Sequence, residues 1–153
     1  MPSLILLAVL TLAARYDLKR RRIPNILSLG SAGAALLYLG INGHTWLGQP
    51  AWHGLLAALL ALLLTVPGWV TGRLGGGDVK LLTALALCSD SRVLLLSLAG
   101  AFALLLLWAL LAPRFWPRLP AAVRRQAVQL APRRGRPLPL APFLLLGTAI
   151  ALG

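Results

Sequence analysis

Residues 93–112 read VLLLSLAGAFALLLLWALLA. An uncharged run of this length matches the roughly 20 apolar residues that one α-helix needs to cross the ~30 Å hydrocarbon core of a bilayer. Working outward, further apolar segments occupy 1–16, 26–42, 54–72, 79–89 and 138–153. Of the 153 residues, 59% are apolar and 12% charged, against about 25% charged in a soluble domain, and the mean hydropathy is +0.83. That composition excludes disorder. It also excludes an ordinary soluble globule, whose surface could not be covered by so few polar side chains. The expected fold is all-α: a polytopic integral membrane protein with about six transmembrane helices, forming a single membrane-embedded domain over 1–153. Segment 1–16 is close to signal-peptide length, but no Lys or Arg precedes it and Lys19-Arg20-Arg21-Arg22 follow it, a stop-transfer pattern rather than a cleavable signal. Segment 79–89 is also short, and is expected to tilt, to thin the bilayer locally or to sit partly in a protein-lined cavity.

Fifteen Lys and Arg against three Asp and no Glu give a formal charge of +12. In a soluble chain that excess would suggest nucleic acid. Here position explains it, because segments 15–25, 73–80 and 113–137 hold 14 of the 15 basic residues, leaving only Arg92 on the other side. The positive-inside rule then puts the N-terminus outside and these basic loops in the cytoplasm, with no nucleic-acid partner implied. The lone cysteine, Cys88, excludes an intrachain disulfide and a multi-cysteine zinc site, and is expected to be buried and inert.

The acids are more informative. Asp17 and Asp78 fall in the first two cytoplasmic loops, 61 residues apart but on one face, whereas Asp90 lies on the other. An ionisable residue near membrane depth is a functional hypothesis by default; the plainer reading pairs each Asp with a neighbouring Arg or Lys. Asp78 sits in Gly72-Arg73-Leu74-Gly75-Gly76-Gly77-Asp78-Val79-Lys80, where three glycines allow backbone to approach a partner closely, or simply make a tight interhelical turn. Gly72 and Gly77 have P-loop spacing, but Asp78 and Val79 stand where that motif needs Lys and Ser or Thr, so negative charge would meet the phosphate. Asp17 leads Asp17-Leu18-Lys19-Arg20-Arg21-Arg22-Ile23-Pro24-Asn25, whose proline suits the first turn of the second span.

These residues resemble the type IV prepilin peptidases, aspartic proteases of the bacterial inner membrane that cut leader peptides from pilin-like precursors at the cytoplasmic face. Asp17 with Ile23-Pro24-Asn25 is similar to the family's first catalytic-aspartate motif; Gly75-Gly76-Gly77-Asp78 followed by Lys80 is similar to its G-x-G-D-x-K motif. Pro137-Leu138-Pro139-Leu140-Ala141-Pro142-Phe143 resembles the Pro-rich opening of the final helix. The resemblance implies that Asp17 and Asp78 are catalytic, that Gly75, Gly76, Gly77, Lys80, Ile23, Pro24 and Asn25 support them, and that a prepilin-like protein is the substrate. Bifunctional members carry a four-cysteine cytoplasmic insertion linked to N-methylation. Without it, this chain resembles the short, peptidase-only branch of Flp/tight-adherence systems, which implies no methyltransferase activity, no cofactor and no metal.

Two carboxylates in one site hold one proton between them, which supplies an acid and a base without a covalent intermediate. The competing class is a non-enzymatic carrier or assembly scaffold in which Asp17 and Asp78 are ion-pair partners of Arg22 or Lys80. His44 and His53 have no acidic or cysteine companions for a metal, and Ser89, Ser91 and Ser97 have no His–acid companion for a triad. Trp46, Trp52, Trp69, Trp108, Phe115 and Trp116 fall toward span ends and fit an interfacial aromatic belt. In the third basic loop, Leu119, Ala122, Val123, Gln126, Ala127 and Leu130 recur at helical spacing with Arg124 and Arg125 on another face. The spacing predicts a surface helix resting on anionic lipid headgroups, or else a solvated loop.

Overall fold

The structure, a computed structural model, describes residues 2–20, 23–132 and 139–153. Among them the regular elements are helical: α1 (Pro2–Arg20), α2 (Asn25–Asn42), α3 (Ala51–Val70), α4 (Gly76–Cys88), α5 (Ser91–Phe115), α6 (Ala121–Gln126) and α7 (Ala141–Leu152), with short 3-10 turns at Trp116–Arg118 and Val128–Leu130. Each apolar segment of the sequence thus becomes a helix. Three stretches, Asn25–Asn42, Ala51–Val70 and Ser91–Arg118, are long and apolar enough to cross a membrane. The others differ for separate reasons. α1 has the length but carries Arg15, Asp17, Lys19 and Arg20, while α4 and α7, with 13 and 12 residues, are only about 20 Å long.

The long helices turn small residues inward and large ones outward. α3 buries Gly54, Ala57, Ala58, Ala61 and Thr65, while Leu59 and Leu63 are exposed. α5 buries Leu94, Ser97, Ala101 and Ala112, while Leu106 and Leu110 face out. In lipid, burying a large apolar side chain gains little over the acyl chains it replaces, so close backbone approach through small residues does the packing. α5 and α7 carry this furthest. Gly100 faces Gly147, and a Cβ added at Gly147 would run into the Ser97 carbonyl and lie 2.7 Å from the Ala101 nitrogen.

α4 is the central element. Val79, Leu81, Leu82 and the run Ala84–Cys88 are buried, with α2 and α3 packed against it. That position explains its length, because a helix wrapped by protein need not match the bilayer thickness. Cys88 is buried as expected. Asp90 caps α5, its Oδ1 accepting from the Val93 N–H at 2.8 Å, so this third acid is accounted for by an ordinary helix cap.

Three boundaries depart from expectation. Segment 15–25 is not a loop throughout, because α1 continues to Arg20; Lys19 and Arg20 in its last turn suit the negative end of the helix dipole. Segment 73–80 becomes helical at Gly76. Within 113–137, α5 extends to Phe115, and the helix predicted over 119–130 is divided: α6 ends at Gln126 and Ala127 leaves helical geometry (φ −109°, ψ 35°) before the Val128–Leu130 turn. Trp108 Nε1 donates to the Leu130 carbonyl at 3.1 Å, which ties this segment back to α5. Trp108 is therefore a protein-bonded anchor rather than a purely interfacial residue. Arg21, Arg22, Arg133, Arg134, Arg136, Pro137 and Leu138 lie outside the described residues.

Candidate active site

Asp17 projects from the same face of α1 as Leu6, Leu10, Ala13 and Ala14, all of them buried, which carries its carboxylate inward; it is 6% exposed. A buried carboxylate demands donors. One comes from the first turn of α7, where the Ala141 N–H donates to Asp17 Oδ2 at 3.1 Å. Helix N-termini leave such N–H groups without intrahelical partners and favour negative charge nearby. Asp17 thus closes the start of a helix 124 residues further along the chain.

Asp78 stands in the first turn of α4, half-buried, with Gly75 at the N-cap position (φ −73°, ψ 143°). None of Gly75, Gly76 and Gly77 adopts a positive φ. Their smallness is used for close approach, each against a different neighbour. A Cβ on Gly75 would lie 3.2 Å from Asp78 Oδ2, one on Gly76 3.3 Å from Trp69 Nε1, and one on Gly77 3.3 Å from Ile23 Cβ. Left-handed geometry falls instead on Gly72 (φ 71°), where the chain turns out of α3. The expectation of a glycine loop ahead of the acid is therefore met only up to Gly75, and the other two glycines are helical.

The two aspartates meet at a pair of cavities that share Asp17, Gly75 and Asp78. One, of about 430 Å³, has largely apolar walls from Leu74, Phe102, Leu105, Pro139 and Leu140, with Gly72 and Arg73 beside them. The other, of about 470 Å³, is bounded by the Ile23-Pro24-Asn25 turn and by Gly76 and Gly77. Lys80 reaches across to this turn, donating from Nζ to Asn25 Oδ1 at 2.9 Å. All nine residues singled out in the two aspartate motifs are thus gathered in one region.

Asp90, His44 and His53 belong elsewhere. His44 Nδ1 lies 3.2 Å from the Thr45 carbonyl, and His53 Nδ1 lies 3.3 Å from Gln49 Oε1. Among the described residues no group of three or more His, Cys, Asp or Glu side chains could hold a metal. Sequence reasoning missed the Ala141 donor and the α5 wall formed by Phe102 and Leu105. The prolines at 139 and 142 were a usable signal for the first, since they mark a helix start whose free N–H groups need acceptors.

The model of the type IV leader peptidase family matches residues 4–110, a stretch that includes both aspartates and most of α5. Searches of curated proteins and of solved structures return no match.

Proposed function

Because the chain belongs to the type IV leader peptidase family, we propose that it is a membrane aspartic endopeptidase that removes the leader from pilin-like precursors, with Asp17 and Asp78 as its catalytic pair. The observation that carries this reading is that both carboxylates line the same two cavities. Like charges sharing a site resist joint ionisation, so the pair works with one proton. The ionised member takes a proton from water as the oxygen attacks the scissile carbonyl, and the protonated member donates to the carbonyl oxygen. Collapse of the tetrahedral intermediate then breaks the C–N bond, with a proton passing to the leaving amine. The roles belong to the pair rather than to either residue. The Ala141 N–H holds one carboxylate oxygen of Asp17.

In the same reading the protein lies in a bacterial cytoplasmic membrane, crossing it about six times. The N-terminus is outside, and the basic segments are cytoplasmic, against anionic headgroups. With Cys88 as its one cysteine, it carries out no methyl transfer and needs no cofactor.

The test is co-expression with a pilin-like precursor, following the precursor's size on a gel for wild type, Asp17→Asn and Asp78→Asn at matched membrane levels. Each substitution nearly preserves shape and should abolish the shift. A folded wild-type protein that leaves several such precursors uncut would return the aspartates to the scaffold reading.

A further inference from the structure

The first turns of α4 touch the Ile23-Pro24-Asn25 turn at two points. Gly77 meets Ile23 closely: a Cβ placed there would lie 3.3 Å from Ile23 Cβ and 3.6 Å from its Cγ1 and Cδ1, so Ile23 would have to give by a few tenths of an ångström. One helical turn on, Lys80 Nζ donates to Asn25 Oδ1 at 2.9 Å. Asp78 stands between these contacts in the sequence. The turn itself is held from within, since the Pro24 carbonyl accepts from the Leu27 and Ser28 N–H groups at 2.9 and 3.2 Å, and Pro24 has little freedom in φ. This same turn follows α1, whose last turn bears Asp17.

Residues two apart on a helix do not share a face, so the direction in which Lys80 extends toward Asn25 diverges from that of Asp78. We infer that Asn25 and Lys80 are positioning residues: their hydrogen bond clasps the turn that follows Asp17's helix onto the helix whose first turn bears Asp78, and so sets the separation of the two carboxylates. This rests on the catalytic reading of the aspartates above. Asn25 is exposed, and an exposed polar contact adds little to stability. Geometry in an active site is less forgiving, because a misplacement of about 1 Å can lower turnover on the order of 100-fold. The competing role for Lys80 is a direct electrostatic effect of its charge on the aspartate pair.

The test compares the full-length chain with Asn25→Ala, Lys80→Met and the double variant, measuring kcat, KM and the pH profile of precursor cleavage, with Asp17→Asn and Asp78→Asn as zero-activity references. The clasp predicts that each single variant loses roughly tenfold in kcat, a fraction of the ~100-fold limit, with KM little changed. The double variant is no slower than either single one, and none moves the pH profile. Asn25→Ala cleaving at the wild-type rate overturns the inference, as does a pH shift confined to Lys80→Met or losses that multiply in the double variant. Should Asn25→Ala fail to accumulate, Asn25→Gln keeps the amide but displaces the acceptor by one methylene, and must also lose turnover. If wild type and both aspartate variants are equally inactive, the catalytic reading itself falls; if only the aspartate variants are inactive and Asn25→Ala is not impaired, only the clasp falls.

Discussion

Gly147→Ala should damage the protein out of proportion to the one methyl group it adds. The new Cβ would meet the Ser97 carbonyl and stand 2.7 Å from the Ala101 nitrogen, with no flexible side chain to give way. Ordinary contact begins near 3.4 Å, so α7 must retreat from α5 by about 0.7 Å at the Ala101 nitrogen alone, and further at Ser97. Overpacking of this kind costs about 1–3 kcal/mol. For a chain of this size, a loss of 2 kcal/mol lowers Tm by about 4–8 °C. Gly33→Ala, with nothing within 4 Å of its Cβ, should be neutral or stabilising by up to about 1 kcal/mol. Thermal unfolding of both variants in one detergent gives the comparison. Because α7 also presents the Ala141 N–H to Asp17, Gly147→Ala should slow precursor cleavage at temperatures where it is still folded. Equal Tm values for the two variants would refute the argument that backbone contact at Gly147 holds α7 in place.

Gly77→Ala should lower precursor cleavage about tenfold by pushing on Ile23; Ile23→Ala in the same chain should recover part of the loss, measurable as a double-mutant cycle. Asp90→Ala removes the cap of α5 and should cost about 1 kcal/mol of stability, with cleavage per folded molecule unchanged. Trp108→Phe removes the indole donor to Leu130, a loss of about 1 kcal/mol, and should speed trypsin cleavage at Arg124 and Arg125, read by mass spectrometry of the fragments.

The helical segments and the aspartate motifs were legible in the sequence because each has its own signal, a run of apolar residues or an acid after glycines. Boundaries were less so. A hydropathy reading ends α1 where its charges begin, yet positive charge such as Lys19 and Arg20 at a helix C-terminus stabilises the helix, so α1 continues through Asp17 to Arg20. Phe102 and Leu105 were invisible as cavity walls because Leu104, Leu105, Leu106 and Leu107 are identical letters, and only the rotation of α5 relative to its neighbours distinguishes them. The Ala141 donor belongs to the backbone, which every residue has; Pro139 and Pro142 mark the helix start but not the carboxylate that its N–H meets. The glycines left close approach and a tight turn both open, and only the fold shows that Gly75, Gly76 and Gly77 face a carboxylate, an indole and an isoleucine respectively.

The bond from Ala141 to Asp17 spans 124 residues, and this imposes an order on biosynthesis. A ribosome that has produced both aspartates has not yet produced the helix start that orients the first of them. Between the synthesis of Asp78 and that of Ala141 the nascent chain therefore carries its two acids in an unfinished setting. Under the proposed function, the site gains this donor to Asp17 only once α7 has docked.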